Sequence, residues 1–120
     1  MALRSPCAAL VAAALLLGPG PALAHAILVA SQPRIGGTVP PGPVSIEFRF
    51  NSRIDHARSR LRLIRPDHSQ SVLSLLPDSA EDVLAARADL TPGAYTLRWQ
   101  VLAVDGHITR GDVPFMVSNH

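Results

Sequence analysis

The sequence predicts an all-β domain, a small Greek-key β-sandwich or barrel, on three observations. Apolar and polar side chains alternate over 44–50, with Val44, Ile46, Phe48 and Phe50 on one side and Ser45, Glu47 and Arg49 on the other. A period of two is that of a strand with one face in the core and one in water. Short segments of this kind recur between clusters of Pro, Gly, Asp and Ser, and no long amphipathic helical stretch interrupts them. Finally, Leu90-Thr91-Pro92-Gly93-Ala94-Tyr95 puts a tyrosine just after a Pro-Gly turn, at the entry to a long strand. That is the pattern of the tyrosine corner, whose hydroxyl ties back to backbone a few residues upstream in Greek-key sandwiches.

The first residues are expected to be a secretory signal. Arg4 gives the start a positive charge, an apolar run covers 8–17, Gly18-Pro19-Gly20-Pro21 breaks any helix, and Ala22-Leu23-Ala24 offers the small residues a signal peptidase reads. The run is too short and too punctuated for a transmembrane anchor, which needs roughly 20 apolar residues. The expected division is a signal peptide over 1–24 and one domain over 25–120. The single cysteine, Cys7, falls inside the leader, so the mature chain has no disulfide. Removing 24 of the 120 residues leaves 96, and a chain of that size buries roughly 60–70% of the surface its unfolded form exposes, enough for one small core.

Within the mature chain, 27–31 reads as the first strand. Residues 32–43 contain Pro33, Gly36, Gly37, Pro40, Pro41, Gly42 and Pro43 and read as a loop, barred from a sheet interior because proline donates no ladder hydrogen bond. A second alternating segment at 59–65 turns Leu61 and Leu63 inward between Arg60, Arg62 and Ile64, and Pro66-Asp67-His68-Ser69 ends it as a turn. Segments 71–76 and 82–90 read as further strands, although the alanines between 83 and 88 also suit a short helix. From Tyr95 the inward row continues through Leu97, Trp99 and Val101 against outward Thr96, Arg98 and Gln100, which makes Trp99 a core residue. Val113, Phe115 and Val117 form the inward face of a closing strand, with Met116 outward.

Charge and composition exclude several functions. All eleven basic residues are arginine, and without Arg4 the mature chain sets ten against nine acidic residues, a net charge of +1. With arginines scattered through separate strands, the concentrated basic face that nucleic acid needs is not expected. The densest cluster, Arg58, Arg60, Arg62 and Arg65, reads as the wet face of a strand. No serine or cysteine nucleophile stands beside a base and the carboxylates are not paired, so no enzyme is expected. His56 and His68 lie in polar turns and read as solvated residues, and His120 ends the chain.

The chemistry gathers around the expected cut. A cut after Ala24 makes His25 the first residue, and a free N-terminal histidine offers an α-amino and an imidazole nitrogen, a donor pair suited to tetragonal Cu(II) or Ni(II). The remaining ligands are sought at Asp105-Gly106-His107. Asp-Gly there is also ordinary turn chemistry between two strands. Residues i and i+2 of an extended segment project to the same side about 6–7 Å apart, however, so Asp105 and His107 can converge on one ion.

The start His25-Ala26-Ile27-Leu28, then Ser31-Gln32-Pro33, the loop with Gly37 and Pro43, the strand Pro92-Gly93-Ala94-Tyr95-Thr96-Leu97-Arg98-Trp99, Asp105-Gly106-His107 and the ending over 111–117 resemble the CopC family of periplasmic copper-binding, copper-resistance proteins. The likeness covers nearly all of the mature chain. It implies an immunoglobulin-like or cupredoxin-like β-sandwich that holds Cu(II) through the terminal amine and imidazole of His25, Asp105 and His107. It also implies copper sequestration, resistance or delivery in the periplasm, in exchange with an inner-membrane copper transporter or another periplasmic copper protein. A monomer is expected. The chain departs from those members that bind Cu(I) with a methionine-rich loop, since Met1 leaves with the signal and only Met116 remains. Copper-dependent oxidative enzymes of the lytic polysaccharide monooxygenase type also begin at a chelating histidine. They use a second histidine without an equatorial carboxylate, and Asp105 would fill a position that oxygen chemistry needs open.

Overall fold

The computed structural model describes residues 25–119; the expected signal over 1–24 and His120 lie outside the described residues. Eight strands are found among the described residues: β1 (Leu28–Gln32), β2 (Gly37–Val39), β3 (Gly42–Phe50), β4 (Arg60–Ile64), β5 (Gln70–Val72), β6 (Val83–Leu90), β7 (Gly93–Leu102) and β8 (Ile108–Val117). They form a three-stranded sheet in the order β1-β3-β6 and a five-stranded sheet in the order β2-β8-β7-β4-β5. Strands β1, β3 and β6 stand where A, B and E stand in an immunoglobulin sandwich, and β4, β7 and β8 where C, F and G stand. The all-β sandwich expected from the sequence is the fold observed. No helix among the described residues is long and apolar enough to cross a membrane.

Alternation builds the core. Val44, Ile46, Phe48 and Phe50 from one sheet meet Leu61, Leu63, Leu97, Trp99, Val101, Val113, Phe115 and Val117 from the other, and all are buried. The rings of Phe50 and Trp99 pack edge to face with centroids 5.2 Å apart, and Tyr95 stacks on Phe115 at 5.7 Å. Trp99 is a core residue, as expected. Its indole lies across Gly111, where an added Cβ would come within 2.6 Å of the ring, so that position tolerates no side chain while the tryptophan stays in place. The Tyr95 hydroxyl donates to the Thr91 carbonyl at 2.8 Å, which is the predicted tyrosine corner. Leu97, two residues on, occupies the place where antibody domains carry the second disulfide cysteine, and here it is a fully buried apolar residue.

Several boundaries differ from expectation for identifiable reasons. The 32–43 segment is not all loop: Gly37–Val39 pairs in parallel with 115–117 of β8. It does so at a sheet edge, where the flanking prolines interrupt no ladder. β5 stops at Val72 rather than 76 because the chain then crosses between sheets. Its backbone bonds change hands accordingly, Leu73 N donating to Leu61 O and Leu76 N to Ala85 O. The 82–90 segment is strand rather than helix, since β6 pairs with β3 along Val83 to Leu90. A short 3-10 turn, His56–Arg58, capped by Asp55, has no counterpart in the sequence reading.

Candidate metal centre

The site sits on the β7–β8 hairpin. Gly106 N donates to Ala103 O at 2.9 Å and Ala103 N to His107 O at 2.8 Å, leaving Val104, Asp105 and Gly106 as a three-residue loop. Such loops turn on a residue with positive φ, and Gly106 has φ +92°. Asp105 and His107 therefore face one another across a turn, not along an extended strand as the sequence reading supposed. His107 N donates to Asp105 Oδ1 at 3.1 Å, and His107 Nδ1 lies 2.5 Å from Asp105 Oδ2.

His25 is brought to this hairpin by its neighbours in the chain. Ala26 is buried and its carbonyl accepts from Thr109 Oγ1 at 2.8 Å. Ile27 N donates to Asn51 Oδ1 at 2.8 Å, and Asn51 N returns a bond to Ile27 O at 3.0 Å. Asn51 follows β3 in one sheet and Thr109 belongs to β8 in the other, so residues 26–27 are clamped across the open end of the sandwich. The clamp sets the His25 ring edge-on to that of His107, with centroids 4.5 Å apart. One ligand atom from each of His25, Asp105 and His107 lies within 4.8 Å of the others, and all three residues are exposed.

Asp105 is held below the usual carboxylate range, chiefly by the His107 backbone N–H; desolvation opposes this, and the His107 ring and the charges of His107 and His25 add smaller contributions that lower it further. An ionised carboxylate can only accept, so His107 Nδ1 carries the shared proton and Nε2 is the ring nitrogen left for an ion. Two imidazoles and a carboxylate, with no thiolate, suit a borderline divalent transition metal.

The other histidines stay apart from this cluster. His56 is half-buried with Nε2 2.7 Å from the Val83 carbonyl; it joins the 3-10 turn to β6 and is not a purely solvated residue. His68 is exposed in its turn at φ +70°. It borders a groove of about 460 Å³ near the tyrosine corner, together with Met116. Asn51 and Thr109 were missed by sequence reasoning. Thr109 carried one signal, its inward place two residues before Gly111 on an otherwise apolar face.

A β-sandwich whose first described residue meets an Asp-Gly-His hairpin defines a class, and the family comparison agrees: the chain belongs to the CopC domain family, which matches residues 28–118. The matched span holds Asp105 and His107 and begins three residues after His25. Among individual proteins, the chain is 29% identical over 100 residues to Protein YobA of Escherichia coli K12, covering 78% of this chain and 79% of that one; Protein YobA of Shigella flexneri matches to the same extent. The crystal structure of CopC from Methylosinus trichosporium OB3b superposes with a TM-score of 0.70 at 25% identity, covering 78% of this chain and 94% of that one. PcoC, a methionine-rich copper resistance protein from Escherichia coli, shares the fold with a TM-score of 0.66 at 22% identity, over 79% and 100% of the two chains.

Proposed function

We propose that the protein is a periplasmic copper-binding protein that takes one Cu(II) as cargo, for sequestration, resistance or delivery, and is not an enzyme. The observation that carries this reading is the convergence of His25, Asp105 and His107 within 4.8 Å in a CopC-family chain. Ala22-Leu23-Ala24 before His25 supports export through a signal peptide over 1–24, after which the His25 amine joins its imidazole as a ligand. His107 contributes its ring, and Asp105 both fixes that ring and offers negative charge to the ion. Cu(II) is favoured over Cu(I) because Met116 stands without a second thioether or thiol among the described residues. The exchange partner is another copper protein of the periplasm or an inner-membrane copper transporter.

The deciding experiment is an EPR spectrum of the mature protein with one equivalent of Cu(II), beside the intact mass of the exported form. A tetragonal signal with nitrogen couplings on a chain beginning at His25 is expected. A mature start elsewhere, or a spectrum unchanged by His107→Ala, would remove the reading. Incubation of the copper-loaded protein with ascorbate and chitin or cellulose should release no oxidised oligosaccharide; release would make it an oxidative enzyme.

A further inference from the structure

The arginines that look scattered along the sequence are gathered by strand pairing. On the outer face of the five-stranded sheet, Arg60 of β4 lies opposite Gln100 of β7 and Gln100 opposite Arg110 of β8. On the next rung Arg62 lies opposite Arg98 and Arg98 opposite Asp112. With Arg58 these arginines line a groove of about 410 Å³. Five of the eleven arginines thus share one face, in a chain whose formal net charge is only +2; the rest of the molecule is acidic on balance. The outer face of the other sheet shows no such bias, for Arg49 and Arg87 there are matched by Glu47 and Asp89, all exposed.

The arrangement is costly for a surface with no partner. Like charges directly opposite one another destabilise a strand pair, and Arg62 faces Arg98 in that way. Beyond the strand ladder, the side chains of Arg60 and Arg62 make no hydrogen bond or ion pair with any described residue. Arg98 shows what the face accepts: its Nε and Nη2 donate to the two oxygens of Asp112 at 2.9 and 3.0 Å, the two-pronged geometry in which guanidinium recognises a carboxylate. Arg110 is turned aside onto the Gln100 amide at 2.7 Å, while Gln70 also lines the groove and offers groups that suit a peptide backbone. Exposed Ile108 and Val72 flank the arginines, and arginine beside apolar side chains is the composition of a protein interface. The one indole, Trp99, borders the groove but is only 7% exposed, too little for an aromatic platform on which bases could stack.

We propose that the outer face of the five-stranded sheet, centred on Arg60, Arg62, Arg98 and Arg110, is a docking surface for a carboxylate-rich segment of a partner protein. It does not depend on the copper reading. Arg110 follows His107 by three residues, roughly 10 Å of strand, so a docked segment lies beside the metal centre. The probe is a short synthetic peptide alternating Glu and Ser, which when extended presents its carboxylates on one side, titrated against the folded protein and followed by backbone amide shifts. Saturable binding with shifts confined to β4, β7 and β8 is expected, weakening as salt is raised, with none for the same peptide carrying Gln in place of Glu. The double variant Arg60→Gln/Arg62→Gln should weaken binding about tenfold or more, since each lost contact is a charge-assisted hydrogen bond. Arg49→Gln/Arg87→Gln, with the same change in net charge on the opposite face, should alter it less than about twofold. The proposal is overturned if the Glu peptide does not bind, if the two double variants weaken it equally, or if anionic phospholipid vesicles or a single-stranded oligonucleotide displace it from the arginines.

Discussion

At the start of β7 the hydroxyl of Tyr95 is buried and donates to the Thr91 carbonyl. At the far end of the same strand, roughly 26 Å away at about 3.3 Å per residue, Asp105 and His107 stand in solvent beside His25. Both ends join chain segments through polar side chains, but they dispose of the lone pairs differently. Around Tyr95 the hydroxyl is spent on the backbone and contributes stability. At the hairpin the segments are joined by Thr109 and Asn51, and apart from the bonds between Asp105 and His107 this leaves three ligand-bearing side chains converging in water. The sandwich therefore separates what holds it together from what it can hold, and changes at one end should leave the property of the other end untouched.

The largest expected effect is at the hairpin end. With the exported chain starting at His25 as proposed, adding one Gly before it converts the α-amine to a peptide nitrogen and leaves every side chain in place. Cu(II) affinity should fall by more than the roughly 10–100-fold that loss of an outer partner of a metal ligand costs. His107→Ala should do the same and Asp105→Asn less, as read by competition with a calibrated chelator. The metal-free proteins should melt where the parent does; a drop of several degrees would mean that the two ends are not separate. Tyr95→Phe is the converse. It removes one hydrogen bond worth about 1 kcal/mol, which lowers the melting temperature by about 4–8 °C in a domain of this size, with copper affinity unchanged. Weakened copper binding in that variant would break the comparison.

The sequence revealed the two ends unequally. The period-two rows that became β3, β7 and β8, and the tyrosine corner with them, are local patterns whose consequence is fixed by the pleat, so their inward faces could be named residue by residue. His25, Asp105 and His107 were also named in advance, from a chelating residue at an expected cut and from an Asp-Gly-His motif. Their geometry was not legible, because the three-residue loop depends on the bonds Ala103 makes to Gly106 and His107, and turn length cannot be read from Asp-Gly alone. The clamp was invisible for a different reason: Asn51 and Thr109 meet residues 26–27 through contacts 24 and 83 residues apart in the chain. The arginine face was legible only in part on the same ground: Arg60 and Arg62 lie on the wet face of β4 as expected, but strand order, which only tertiary structure supplies, decides that Arg98 and Arg110 join them.

The clamp gives a more moderate test. Thr109→Val keeps the shape of the side chain and removes the hydroxyl that fixes the Ala26 carbonyl, so His25 should lose its set position while remaining present. Affinity for Cu(II) should fall by about tenfold, the lower range for an outer-shell partner. The loss should appear mainly as faster metal release in stopped-flow with a chelator, with the EPR spectrum of the bound form retained. An unchanged release rate would show that the hairpin alone sets the site.

The smallest effect belongs between the two ends, at the pair of Arg98 and Asp112. Arg98 beside it holds the Asp112 carboxyl below the ordinary carboxylate range, through the hydrogen bonds first and charge second. A depressed folded-state value means that the pair's stabilisation is present above the unfolded value of about 3.9 and is lost as pH falls through the folded one. Both side chains are about half exposed, at 50% and 46%, so solvent screens the attraction and Asp112→Asn should lower the melting temperature at neutral pH by only about a degree or two. Measured side by side down the pH scale, parent and variant should converge below the ordinary carboxylate range, since both then carry a neutral group at 112. Asp105 titrates alike in the two proteins and cancels from the difference. A gap that stays constant to the lowest pH would mean that Asp112 acts by shape and packing rather than by charge.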